Sequence, residues 1–148
     1  MVQITRIQNS VFSSNTYILR STLSNSVCLI DCGDTDKVLS ALKTDEKVEA
    51  VFLTHTHSDH IYGLESLMSE FPNVRIYTNE YGIKALESPK LNMSRYHDEY
   101  PDLTIRTDSC SLLKEGDSIQ FDGDNLVSYD LYVHKATILR FVASYEEW

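Results

Sequence analysis

Six consecutive residues, His55-Thr56-His57-Ser58-Asp59-His60, concentrate the side chains able to do chemistry. Three of the chain's five histidines fall there, together with one carboxylate. Neutral imidazole is the commonest zinc ligand, and a carboxylate can complete or bridge such a site. Alternate residues of an extended segment point the same way, so His55 and His57 can address one ion together. Asp59 and His60, where the chain turns toward a helix, can address a second. The competing reading is a polar loop of solvated histidines in which Asp59 caps that helix. The density of ligands favours a metal site. Imidazole with one carboxylate suits zinc, and leaves iron, manganese or nickel open.

The elements around this cluster must hold it. Residues 51–53 (Val-Phe-Leu) form a continuous apolar run, as expected of a strand buried on both faces, and the histidines follow its end. After them, Ile61, Leu64, Leu67, Met68 and Phe71 recur at helical spacing, closed by Pro72 and Asn73. Upstream, an apolar pattern at Val2, Ile4 and Ile7 and the runs 16–19 and 27–30 read as strands. Asp34 and Thr35 can cap a helix carrying Val38, Leu39 and Leu42. Residues 74–77 read as a strand, Asn79 as the cap of a short helix, and 88–108 as irregular. Further strands are expected at 119–121, 126–133 and 137–143. Mixed β and β–α order predicts an α/β (α+β) fold with helices packed on a sheet whose other face also needs cover.

Composition narrows the class. The 148 residues fit one domain over 1–148. A net charge of −9 gives no footprint for nucleic acid or for an anionic membrane surface. No apolar run reaches the ~20 residues that span a bilayer. The opening residues lack the basic-then-apolar pattern of a secretory signal, so the expected compartment is the cytoplasm. Cys28, Cys32 and Cys110 are odd in number, and no CxxC occurs. Cys28 and Cys32 read as small buried strand residues rather than redox or metal groups. No GxSxG and no glycine-rich phosphate loop is present.

The six-residue cluster matches an HxHxDH signature, and on it the chain resembles the metallo-β-lactamase superfamily of hydrolases. SSNTYIL at 13–19, LIDCGD at 29–34, VFLTH before the cluster, IYGL after it and EGDSIQF at 115–121 also look like that family. The resemblance implies an αββα sandwich with a one- or two-metal site. His55 and His57 would hold the first ion, and Asp59 and His60 would belong to the second. A metal-bound hydroxide would attack an ester, thioester, lactone or related bond of a small molecule. Asp59 could also take part in proton transfer. Asp31 is either a supporting residue that fixes a histidine tautomer or an ordinary strand-end turn residue. The oxygen-reducing flavodiiron branch typically has Glu where this chain has His57, which points to a hydrolase-type site.

The family's third histidine for the first metal follows a Gly-Asp strand, here Gly116-Asp117. His134 falls near that place, but Tyr132-Val133 stands where Pro-Gly is usual. His134 is thus either a ligand or a solvated strand residue. After it no His and no Asp occurs, so the bridging aspartate and the final histidine have no counterpart. The expectation is a fold incomplete at its C-terminus, or one completed by a second chain or a homo-oligomer along 126–133 or 137–143. A second function class therefore stands beside the zinc hydrolase: an inactive metal-binding or interaction domain. His97, in a Tyr-rich segment, could belong to a substrate-covering loop or to a solvated one. Tyr62 stands where glycine is frequent in the family, and could touch substrate or pack on the sheet.

Overall fold

The computed structural model describes residues 2–121 and the strands Asp124–Val133 and Ala136–Ala143. Strands β1 (Gln3–Gln8), β2 (Asn15–Arg20), β3 (Ser26–Ile30), β4 (Lys47–Phe52), β5 (Arg75–Thr78) and β6 (Cys110–Leu112) form one sheet in that order. The first three pair antiparallel; β3 to β6 run parallel. Parallel neighbours need crossovers, which pass through helices α1 (Thr35–Ala41), α2 (Leu64–Glu70) and α3 (Glu80–Leu86). A second, antiparallel sheet has the order β7 (Ser118–Phe121), β8 (Asp124–Val133), β9 (Ala136–Ala143).

Strand alternation divides the apolar residues between the two faces of the large sheet. Ile18, Val27, Leu29, Val51 and Ile76 face the helices and pack with Val38, Leu64, Leu67, Met68 and Leu86. Leu19, Cys28, Ala50 and Phe52 face the other way, against Leu113 and Phe121, with Ile119 packed alongside. Val51 and Phe52 therefore serve different cores from adjacent positions. The result is a helical layer, a sheet and a second sheet. The fourth, helical layer of the expected αββα sandwich does not occur among the described residues.

Most expected elements are present, with instructive differences. α2 begins at Leu64, not Ile61, because Ser58–His60 form a 3-10 turn and Gly63 is the cap residue. Asn79 caps α3, its Oδ1 accepting from the Gly82 N–H at 2.7 Å. Asp34 sits at the N-cap of α1 but makes no cap bond; its oxygens are taken by Ser10, Lys37 and Tyr62. Among the described strands β7 pairs with β8 only over 124–127, so 128–133 are paired on one side alone, by β9, which stands at the end of its sheet. All three cysteines are free, and burial pushes the Cys28 and Cys32 thiols up to about 12. Among the described residues no helix is long and apolar enough to cross a membrane.

Candidate metal centre

The histidine turn lies at the carboxyl ends of β3 and β4, the place where open parallel sheets put their sites. Leu53 leaves β4, the chain bends at Thr54, and His57, itself in extended conformation, leads into the 3-10 turn. Thr56 is buried between a half-buried His55 and an exposed His57, so the two imidazoles share a side. Their ring centroids are 4.8 Å apart; those of His55 and His60 are 4.1 Å apart.

Backbone bonds lace the turn to its neighbours. Cys32 N–H donates to the His60 carbonyl (2.8 Å), and Gly63 N–H donates to the Cys32 carbonyl (3.1 Å). Gly63 must be glycine, since a Cβ there would stand 1.9 Å from the Gly33 carbonyl oxygen. Ser14 Oγ donates to the Asp59 carbonyl (2.7 Å), tying down the β1–β2 loop. Ser58 N–H donates to the carbonyl of Asn92, which is fully buried. Tyr100 donates its hydroxyl to Ser58 Oγ.

Asp31 sets the chemistry of two histidines. It is 3% exposed and holds a left-handed φ of 60°, which Asp tolerates better than most residues. Its Oδ1 accepts from Thr54 N–H (2.8 Å), and its Oδ2 accepts from the Thr54 hydroxyl (2.7 Å). His60 Nδ1 is 2.8 Å from the same Oδ2. A carboxylate only accepts, so that bond places a proton on His60 Nδ1 and turns Nε2 to the opposite side. The Thr54 hydroxyl spends its proton on Asp31 and thus accepts from His55 Nδ1 at 3.1 Å, leaving His55 Nε2 free. His60 Nε2 in turn faces Asp59 Oδ2 at 3.3 Å.

The electrostatics follow from this arrangement. Burial, then the charge of His60, lowers the His55 pKa to about 4, although Asp31 and Asp59 oppose it. Burial also lowers His57 against the pull of Asp59. Burial pushes His60 down too, but the hydrogen bond and charge of Asp31, with the charge of Asp59, outweigh it and raise the group. His55 and His57 are thus kept neutral, the form that ligates a metal.

The residues fit an ion in chemistry and in one measured distance. Donors bound to one tetrahedral ion at ~2.0–2.1 Å stand about 3.3 Å apart, the separation of His60 Nε2 and Asp59 Oδ2. Among the described residues no three His, Cys, Asp or Glu side chains converge closely enough to hold an ion as they stand. His134 lies outside the described residues.

Two contributors, Thr54 and Asn9, gave no signal in the sequence. Thr54 relays Asp31 to His55. Asn9 is buried and bonds Ser14, Thr16 and the Asp34 N–H. His97 is half-buried rather than solvated, packed against Phe12 and Tyr100. Tyr62 does not lie flat on the sheet; its hydroxyl reaches Asp34 and its ring stacks on Tyr100.

Comparison with known proteins agrees with this geometry. The model of the metallo-β-lactamase superfamily matches residues 9–142, and the chain belongs to that superfamily. A "probable metallo-hydrolase" of Streptococcus pyogenes is 34% identical over 96 residues, covering 64% of this chain and 40% of its own length. Ribonuclease Z of Bacillus velezensis is 36% identical over 88 residues, 54% of this chain and 28% of its own. Hydroxyacylglutathione hydrolase of Aeromonas hydrophila is 31% identical over 117 residues, 78% of this chain and 37% of its own. The chain thus spans less than half the length of these relatives. Among solved structures, the BLEG-1 B3 metallo-β-lactamase superposes with a TM-score of 0.82 at 21% identity, covering 95% of this chain and 67% of that one. TTHA1623, solved in a di-iron-bound form, gives 0.72 at 21% identity, covering 93% and 66%. The fold is that of the metallo-β-lactamases.

Proposed function

We propose that the turn from His55 to His60 binds one or two divalent ions, zinc in the first place, in a hydrolase of small-molecule ester, thioester, lactone or related bonds. His55 and His57 hold the first ion, with His134 as the proposed third ligand; Asp59 and His60 hold the second. The observation that carries this reading is the Asp31–Thr54 pair, which engages Nδ1 of both His55 and His60 and so turns each Nε2 outward, that of His60 toward Asp59 Oδ2 at 3.3 Å. A bound divalent ion supplies a water ionised near neutral pH and a polarised electrophile.

The chain's own residues do the rest. Asp31 keeps the tautomers fixed and raises ligand basicity. Asp59, partly exposed at the mouth of the turn, is placed to accept a proton from the attacking water. One relative is named as a hydrolase of an acylated glutathione and another as a ribonuclease. The net charge of −9 disfavours a polyanion and supports the small-molecule class. Three free thiols go with a reducing, cytoplasmic setting.

The test is a panel of esters, thioesters and lactones offered to zinc-loaded and chelator-treated protein. Turnover that disappears on chelation and in His57→Ala supports the proposal. Turnover indifferent to both contradicts it.

A further inference from the structure

Four aromatic rings from three separate segments line up beside the histidine turn. Phe12 comes from the β1–β2 loop, Tyr62 from the start of the α2 region, and His97 and Tyr100 from the irregular segment after α3. The Phe12 and His97 centroids are 4.8 Å apart at 62°, those of His97 and Tyr100 6.5 Å at 73°, and those of Tyr100 and Tyr62 5.6 Å at 24°. The row is fastened to the turn at both places where it could drift. Ser14 Oγ holds the Asp59 carbonyl at 2.7 Å, just past Phe12, and the Tyr100 hydroxyl bonds Ser58 between His57 and Asp59.

None of the four belongs to either apolar core. Phe12 is 52% exposed and adopts φ 52°, a conformation bulky residues rarely take. Among the described residues this apolar ring, next to the candidate ligating side chains, serves neither core and packs edge-on against His97.

We propose that Phe12, His97, Tyr100 and Tyr62 form a rim that seats a flat, uncharged aryl group of the substrate beside His57. This rests on the hydrolytic reading above and names the substrate class it would take. Rings meeting edge to face and in offset stacks offer a third ring the same two modes, which a puckered aliphatic ring does not use. Asp98 and Glu99 flank His97 and Tyr100 and are exposed. Their charge, within a chain of net −9, repels an anionic aryl group and leaves a neutral one.

The experiment compares ethyl phenylacetate with ethyl cyclohexylacetate, which share a leaving group and differ in ring shape. Wild type is expected to favour the phenyl ester through KM. In Phe12→Ala the phenyl-to-cyclohexyl ratio of kcat/KM is expected to fall about tenfold, with the change carried by KM. His97→Ala serves as a second variant, should Phe12→Ala fail to fold. In parallel, binding of phenylacetamide to the protein is followed by saturation-transfer NMR. If neither ester is hydrolysed but phenylacetamide binds and Phe12→Ala removes the signal, the rim stands and the hydrolase reading falls. Equal KM values for the two esters, unmoved by either variant, overturn the rim. So does hydrolysis of both esters without phenylacetamide binding.

Discussion

The carboxylate of Asp31 and the imidazole of His60 are joined, Oδ2 to Nδ1, at 2.8 Å, although the residues stand 29 positions apart in the chain. The same carboxylate takes both the N–H and the hydroxyl of Thr54, and through that hydroxyl it reaches His55. One buried side chain thus fixes the tautomer of two proposed ligands.

Replacing Asp31 by Ala leaves the Thr54 N–H and His60 Nδ1–H without an acceptor. Unsatisfied buried groups of this kind cost about 1–3 kcal/mol each. Loss of a partner behind a metal ligand typically lowers metal affinity by about 10–100-fold. Urea denaturation and zinc competition with a chelator dye measure the two effects separately. Asp31→Asn, which keeps one acceptor oxygen, is expected to lie between Ala and wild type.

Gly63 packs its α-carbon against the 33–35 segment. In Gly63→Ala the new methyl would meet the Gly33 carbonyl oxygen at 1.9 Å and Thr35 Oγ1 at 2.5 Å. Backbone cannot rotate away, so a loss of about 3 kcal/mol or more is expected. Thermal or urea unfolding reads it directly. Gly116→Ala meets nothing within 4 Å, but its φ of 83° disfavours a side chain, so a smaller loss is expected there.

Asn92 is fully buried; its amide donates to the Leu103 carbonyl (2.9 Å), and its Oδ1 accepts from Ser94 N–H (3.0 Å). Asn92→Ala removes both bonds and is expected to cost about 1–3 kcal/mol. It should also loosen the loop that holds Ser58. Faster amide exchange at Ser58, whose N–H is bonded to the Asn92 carbonyl, is the local signature to seek.

Asp34 supplies a pH dependence. Partial burial raises its carboxyl, but hydrogen bonds from Lys37, Ser10 and Tyr62 outweigh that and hold it below the usual carboxylate range. A depressed folded-state value means the unfolded chain binds more protons through that window. The stabilisation is therefore complete above the unfolded value of about 4. It fades as the pH falls from there through the folded value. The stability gap between wild type and Asp34→Asn should be constant from pH 7 to 5 and narrow below 4, as followed by urea midpoints.

Much of this architecture was legible because it follows local rules. The continuous apolar run at 51–53, the helical spacing of Leu64, Leu67 and Met68, and the Asn79 cap each need only a few neighbours. β6 escaped notice because Cys110–Leu112 has three residues, none fully buried, and so carries little pattern. The proposed ligand cluster was legible from spacing alone, since His55 to His60 are contiguous. Asp31 was ambiguous because its role depends on Thr54, 23 residues on, and on His60, 29 residues on. The aromatic rim was not legible as a unit at all. Phe12, Tyr62, His97 and Tyr100 meet only through loops whose paths are set by backbone bonds to the turn.

The central claim is that the His55–His60 turn holds a divalent ion, and titration of the metal-free chain with cobalt(II) tests it most directly. The account predicts saturable uptake, with visible absorption bands of a low-coordinate nitrogen–oxygen site that zinc displaces. In the His55→Ala/His57→Ala double variant those bands should vanish while the fold is retained. No cobalt uptake by the folded wild-type chain, or undiminished uptake by the double variant, would contradict it.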